Sequence, residues 1–560
     1  MKANHNLART ISGERPAPTA PKGVVLNPAA WTFLAGELLT PEAMLLLAEL
    51  HRKFEPQRQQ LMDARRERQQ ALNAGALPTY EPRASEAVQG AWRVSPIPED
   101  LRRRRVEITG PADSAKMVIN MLSRQKNGVR ADTAMLDLED ACMPSWHNIT
   151  QGLSNIAAAA RGDLTHHEPS REGTGERIYK LTREDMAVLI VRPRGLHLRE
   201  SNFQVDRQPI SASLFDLSLS VLHTAQTLLG QGRTPTYYIP KCEHYLEARW
   251  WEQVLTFLEG KIGLPFGALK ATFLIETLPA ALQMEEILYE ARAHAVGLNV
   301  GRWDKIFSDI KTLQMHPDHV LADRGKITMQ KPWMSNYALR CVQICHQRGA
   351  LALGGMSAFT PGRSEEIRAA QTAKVLADKQ QENQGGHDGC WVSHPYFIGV
   401  AMQAFPRDNQ LDVIHTHRDR YPDLIPKGEP DRTLQGLRTN IRVGIGYLEG
   451  WSRGLGCVAW DNLMEDLATL EISRAQTWQW LHHGVTLLDG QKVTGALVSR
   501  VFSEELERIT DEECPEIAEQ RGESVEAVRE NFAQAAQQAK EIFLRETLSD
   551  FLTMESPLAV

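Results

Sequence analysis

Apolar and polar positions change period twice along the chain. Residues 29–75, "AAWTFLAGELLTPEAMLLLAELHRKFEPQRQQLMDARRERQQALNAG", space their apolar side chains at helical intervals and become highly charged in the later half. This predicts a helical segment in which the run "RRERQQ" is a solvated face. Prolines at 78, 82, 96 and 98 mark a connector. From about residue 106 short apolar, β-rich runs take over: "VEITGP" (106–111), "AMLDLEDA" (134–141), "VLIVRPRG" (188–195), "TYYIPK" (236–241), "TFLIET" (272–277), "AVGLN" (295–299), "ALALGGM" (350–356) and "CWVSHP" (390–395). Between most of them lie amphipathic stretches, of which 278–295 and 335–349 each predict one helix. Strands alternating with helices indicate parallel βαβ units. Eight in this span of chain fit a (β/α)8 barrel better than an open, doubly wound sheet, which is the alternative.

After residue 433 the helical period returns. The expected order is a flexible tail (1–28), a helical region (29–105), the barrel (106–404), a loop-rich linker (405–432) and a C-terminal helical domain (433–560). Residues 160–178 are polar and contain glycine, which predicts a surface insertion.

The chain has 560 residues, 42% hydrophobic and 24% charged, enough for a large domain with accessory domains. Net charge is −7, so no global field recruits nucleic acid, and an anionic ligand needs a local basic patch. No run of eighteen uncharged apolar residues predicts a membrane span. Seven cysteines, odd in number and mostly in apolar segments, suggest reduced thiols and a cytoplasmic location. The N-terminus lacks an apolar signal core, and the C-terminus "SPLAV" is not a Ser-Lys-Leu address.

Residues at the carboxyl ends of barrel strands converge on one face. Read that way, the strand ends gather Asp137, Glu139, Asp140, Arg192, Arg194, Lys241, Glu276, Arg302, Asp304 and His394. Carboxylates from different strands make a hard-cation site, and Mg²⁺ takes one or two of them with ligand oxygens. Glu276 and Asp304 are the preferred pair. "GLNVGRWDKIFSDIK" turns from strand into helix, which aims its first amides at an anionic oxygen. Taken singly, each acid is also an ordinary helix cap or surface charge, and Arg192 and Arg194 are also ion-pair partners for "DLED". Cys341, Cys345 and His346 sit at helical spacing and read as a buried face, not a zinc site. Spacing alone supports a metal-dependent barrel enzyme acting on a small, oxygen-rich anion.

Several long blocks resemble the malate synthase family, of the shorter isoform A type: "RRVEITGPADSAKMVINML", "IVRPRGLHL", "ATFLIETLPAALQMEEILYE", "GLNVGRWDKIFSDIKTL", "RGALALGGMSAF", "GHDGCWVSHP" and "GCVAWDNLMEDLATLEISRAQTWQW". The resemblance covers nearly the whole chain. It implies an α/β fold, a (β/α)8 TIM barrel with an N-terminal helical clasp and a C-terminal all-helical plug. It implies Mg²⁺-dependent condensation of acetyl-CoA with glyoxylate and water, giving (S)-malate and CoA in the glyoxylate bypass. By the same resemblance the metal acids fall on Glu276 and Asp304, the arginine that steadies the enolate oxygen on Arg192, and the base on Asp466 of "NLMED". From the strand-to-helix turn, Gly301, Arg302 and Trp303 are the candidate substrate contacts; Glu139 and Asp140 are candidate supports of metal-bound water and not ligands, and Cys457 reads either as near the coenzyme or as simple packing. Asp466 equally reads as a helix cap. The chain departs from the family's usual residues at Val300 (Cys), Lys305 (Tyr), Ala459 (Pro) and Leu467–Ala468 (Ala-Ala). A malyl-CoA lyase or thioesterase on a similar barrel, and a catalytically retired binding protein, are the alternatives. The sequence leaves the oligomeric state and the coenzyme-phosphate contacts open.

Overall fold

The computed structural model describes residues 20–169 and 175–554. Eight strands form a closed barrel: β1 (Val106–Pro111), β2 (Thr133–Asp137), β3 (Val188–Arg192), β4 (Thr236–Ile239), β5 (Lys270–Ile275), β6 (Ala295–Val300), β7 (Leu351–Ser357) and β8 (Gly389–Val392). Neighbours follow chain order, every pair is parallel, and Cys390 opposite Val106 closes the ring. Closure excludes the doubly wound sheet. The runs are continuously apolar because both faces are covered, by helices outside and packed side chains inside. Met135, Ile190, Tyr238, Leu274, Leu353 and Trp391 form the inner layer.

Toward the amino ends of the strands a fully buried ion pair fills the barrel. Arg104 donates to Glu107 (2.5 Å), Thr272 (2.7 Å) and the Tyr238 hydroxyl (2.9 Å), while the Trp391 indole donates to Glu107 (2.7 Å). Each charge there is paired and hydrogen-bonded, which offsets its desolvation.

Ahead of the barrel, helix α1 (Pro41–Asn73) starts with Thr40 capping the Ala43 amide and Pro41 in the first turn. Phe54 packs edge-on against Trp250 at 6.0 Å. The "RRERQQ" run is not wholly solvated. Arg65 is buried: it forks onto Glu247 (2.7 and 2.6 Å) and donates to the Lys241 carbonyl (2.8 Å). Arg58, one stripe earlier, pairs with Glu55 and donates to the Leu196 carbonyl (2.7 Å). Two buried guanidiniums thus tie α1 to the loops that follow β3 and β4. Residues 1–19 of the expected tail lie outside the described residues, but Val24–Leu26 is a strand paired antiparallel with Arg199–Val205.

Three further differences are local. The insertion at 160–178 contains most of an antiparallel strand pair, Thr165–Pro169 against Glu176–Lys180, in which the first strand alternates exposed with half-buried residues and the second is mostly exposed. The helix expected over 278–295 is two short ones, Leu278–Ala281 and Met284–Glu290. They break at Gln283, whose side chain accepts the Tyr245 amide. Helices α2 (Trp303–Thr312) and α3 (Pro332–Arg348) follow β6.

The C-terminal helices α4 (Leu434–Ser452), α5 (Leu467–His482), α6 (Gly495–Arg508) and α7 (Val525–Phe543) enclose a second apolar core. They are joined by one short hairpin, Val458–Trp460 against Leu463–Glu465. Asp461 and Asn462 at its tip both have positive φ (47° and 63°), the geometry of a two-residue hairpin turn that Asp and Asn tolerate. All seven cysteines are unpaired thiols. Among the described residues no helix is long and apolar enough to cross a membrane.

Candidate active site

The carboxyl ends of the strands build the site in layers. Asp137 ends β2 and accepts the amides of Glu139 (2.9 Å) and Ala141 (2.8 Å), fixing the acidic turn that follows. Arg192 ends β3 and clamps the same Asp137 through two nitrogens (2.7 and 2.5 Å). Its third nitrogen lies 3.6 Å from Glu139 and 3.7 Å from Asp140. Burial opposes the charge on Arg192, but Asp137, Glu139 and Asp140 outweigh it and hold the guanidinium firmly protonated.

Lys241, just past β4, adopts a left-handed backbone (φ 51°). Its ammonium reaches Asp140 (2.5 Å), Glu139 (3.1 Å) and Asp304 (3.2 Å), and its amide donates to Glu276 (2.8 Å). The Arg65 contact to its carbonyl makes α1 part of the frame that holds this strained turn. Glu276 follows β5 directly. A Cβ on Gly301 would sit 2.9 Å from that of Glu276, so this close approach requires glycine. Tyr337, from α3, donates to the carbonyls of Ile275 and Gly301, linking the ends of β5 and β6.

Asp304 lies in the first turn of α2. Arg302 turns elsewhere: its guanidinium donates to the Ile327 carbonyl (2.8 Å) and lies 4.5 Å from the Trp303 ring centre. Lys305 is buried against Asp309 (2.5 Å) and over the Tyr337 ring, not against the acids. Burial pushes the Asp309 carboxyl up to about 6 despite that ammonium.

Asp466 arrives from the C-terminal domain. The hairpin before it is sewn to the barrel: Met464 donates to the Ala358 carbonyl (2.7 Å) and Thr360 to that of Asn462 (3.0 Å). Leu467 donates to the Asp140 carbonyl (3.3 Å). Asp466 is the N-cap of α5, exchanging hydrogen bonds with Thr469 in a capping box. The cap and the acid facing the cluster are therefore one residue. Burial, then Asp140 and Asp304, push its carboxyl up to about 8. A narrow cavity of ≈ 40 Å³, lined by Gly110, Met117, Trp303, Cys457 and Asp466, reaches it. Burial and Asp466 drive the Cys457 thiol up to about 12, so it is inert as a nucleophile.

Two strand-end residues stay outside. Arg194 is taken by Asp216 (2.8 Å) and Glu200 (3.0 Å), and His394 accepts the Tyr396 amide at the end of β8. His197 and Arg65 touch the site's frame, yet no local pattern marked them, because their partners are far away in sequence.

With Arg192 matched by Asp137, five carboxyls (Glu139, Asp140, Glu276, Asp304 and Asp466) surround one ammonium, that of Lys241. Glu139 Oε1 and Asp140 Oδ1 are buried without a protein partner, and burial, then Asp304, holds Glu276 well above the usual carboxylate range. This excess of hard oxygen donors fits a divalent cation. Among the described residues no three Asp, Glu, His or Cys side chains form a ready cage. That is the pattern of an ion that takes two carboxylates and completes its shell with ligand oxygens.

Family models cover most of the chain: "Malate synthase, N-terminal domain" at 25–85, "Malate synthase, TIM barrel domain" at 188–423 and "Malate synthase, C-terminal" at 431–557. Similar proteins include malate synthase of Myxococcus xanthus (44% identical, 88% of this chain, 90% of the relative) and malate synthase A of Escherichia coli (41%, 92% and 95%). Glyoxysomal malate synthase of Gossypium hirsutum is 41% identical over 93% of this chain and 91% of its own. Barrel, acid cluster and end-to-end similarity agree, and the chain belongs to the malate synthase family, a family of transferase enzymes.

Proposed function

We propose that the protein condenses acetyl-CoA with glyoxylate and water to give (S)-malate and CoA. The observation that carries this is the placement of Asp466, on the C-terminal domain, over a barrel mouth that holds Arg192 and the acid cluster. A carboxyl raised to about 8 is a stronger base once ionised than an ordinary aspartate, which suits removal of a proton from the weakly acidic methyl group of acetyl-CoA. Arg192, locked by Asp137, offsets the negative charge that grows on the thioester oxygen and needs no reorganisation as it does so.

Glu276 and Asp304 would hold Mg²⁺, with Glu139 and Asp140 behind them. When bound, that ion supplies Lewis-acid polarisation of the glyoxylate aldehyde. The first amides of α2, at Arg302 and Trp303, receive the glyoxylate carboxylate at the positive end of the helix, and the bare Cα of Gly301 leaves room. Arg302 serves there through its backbone, since its guanidinium is engaged with Ile327. The enolate carbon attacks the aldehyde, and hydrolysis of the malyl thioester completes the sum.

Thiol release from acetyl-CoA tests this proposal. It is expected to require both glyoxylate and Mg²⁺ and to yield malate stoichiometrically. Release without glyoxylate points to a thioesterase, and binding of acetyl-CoA without release to a retired enzyme.

A further inference from the structure

The proposed reaction consumes one water, and no group discussed so far holds it. Beside Glu139 and Asp140, under the start of α5 at Leu467, lies a small cavity of ≈ 10 Å³. Its lining includes Glu139, Asp140, His197, Lys241 and Thr553. Glu139 Oε1, Asp140 Oδ1, His197 Nδ1 and Thr553 Oγ1 are all buried and lack a protein hydrogen-bond partner. A polar space of this size holds about one water, and a buried water takes two to four such partners. His197 Nδ1 and Glu139 Oε1 flank one point: a Cβ on Gly195 would lie 2.7 Å from the first and 2.9 Å from the second. Glycine at 195 spares both atoms that clash and lets them approach the chain closely.

We propose that His197 positions the water that hydrolyses the malyl thioester, in the cavity it shares with Glu139, Asp140 and Thr553. This rests on the reaction proposed above. Glu139 and Asp140 each present one oxygen toward Arg192, at 3.6 and 3.7 Å, and leave the other unpartnered. The water so held is one carboxylate away from the oxygen that Arg192 steadies. In the step, the water oxygen bonds to the thioester carbonyl carbon and the C–S bond breaks with its electron pair moving to sulfur. One water proton ends on the coenzyme thiol, and the other leaves the new carboxylic acid. Burial, with Arg65, Lys241 and Lys311 nearby, keeps the His197 ring neutral, so one nitrogen remains able to accept from a water while the other donates.

The same ring separates this cavity from a larger one of ≈ 550 Å³ that lies between α1, α2 and the end of the C-terminal domain. His197 lines both and stacks on Phe551 at 4.2 Å.

The test separates condensation from hydrolysis in His197→Leu and His197→Asn, with circular dichroism as the check on folding. Asn keeps a polar atom near the position of Nδ1, and Leu does not. Rapid-quench single turnover with labelled glyoxylate follows formation of malyl-CoA, and hydrolysis is read separately on supplied malyl-CoA. In the Leu variant, condensation is expected near the wild-type rate, with hydrolysis slowed roughly ten- to a hundredfold and malyl-CoA accumulating. The Asn variant recovers part of the loss. Equal decline of both steps in both variants would reduce His197 to a structural residue and overturn the proposal, as would unchanged hydrolysis in Leu. A wild-type protein that forms no malyl-CoA at all would overturn the parent reaction and this step with it.

Discussion

Replacing Asp466 by Asn separates its two roles. Asn caps a helix as well as Asp does, so α5 keeps the cap whose removal to Ala costs ~1 kcal/mol. The variant loses the ability to take a proton, and a positioned general base is worth roughly 10²–10⁴ in rate. Deuterium exchange into the acetyl-CoA methyl group isolates that step and should fall by this factor, with the KM for acetyl-CoA little changed.

Stability should move the other way. The Asp466 carboxyl is raised from 3.8 to about 8 by burial and by Asp140 and Asp304. In the folded protein it keeps its proton up to about pH 8, whereas the unfolded chain releases it near pH 4. Between these values the folded state binds more protons, so this residue's contribution is fully present below about pH 4 and is lost at up to ~1.4 kcal/mol per pH unit as pH rises. Asn does not titrate. Denaturant melts should therefore show Asp466→Asn gaining on the wild type from about pH 5 to pH 8 and then holding a constant lead. Full exchange activity would remove Asp466 from the chemistry. A stability difference that stays flat with pH would refute the burial argument.

Arg65→Met leaves Glu247 and the Lys241 carbonyl without their buried partner; the cost expected is ~3–5 kcal/mol, about 3–4 °C in Tm if the whole chain unfolds together. Metal affinity should weaken too, because the Lys241 turn loses its brace, and calorimetric titration with Mg²⁺ checks both. In wild type, Mg²⁺ binding should tighten between about pH 6 and 8, by up to tenfold per pH unit for each proton displaced, since Glu139 sits at about 8 and Glu276 well above its usual range. A pH-independent affinity would place the ion away from these acids. Gly301→Ala forces a methyl to within 2.9 Å of the Glu276 Cβ and should weaken Mg²⁺ binding at least tenfold with the fold intact by circular dichroism.

What the chain disclosed in advance follows from where its partners lie. All eight barrel strands were legible because each is a run buried on both faces, a property of consecutive residues. The position of Glu276 follows from the same property, since a carboxylate one step past an apolar run has few places to go, whereas Asp304 lies inside α2 and Asp466 on the C-terminal domain. The hairpin that delivers Asp466 left a usable signal that helical periodicity obscured: "VAWDNLME" puts Asp461 and Asn462, two turn residues, between apolar pairs. The Arg104–Glu107 pair inside the barrel left none, because its remaining partners, Thr133, Tyr238, Thr272 and Trp391, come from four other strands.

Helix α1 shows how a charge pattern misleads. His51, Arg58, Arg65 and Leu72 recur every seventh residue and all are buried, a single stripe facing the barrel. Spacing alone would assign that stripe to an interface. Polarity assigned its middle to solvent, because an arginine is buried only when something meets it, and what meets Arg65 is Glu247 and the Lys241 carbonyl, more than 170 residues away. Where a helix keeps its apolar stride while the residues on it turn basic, the stride is the stronger evidence. The charges then report that the surface opposite carries carboxylates and bare carbonyls, here Glu247 in the first turn of its helix and the Lys241 carbonyl just past β4.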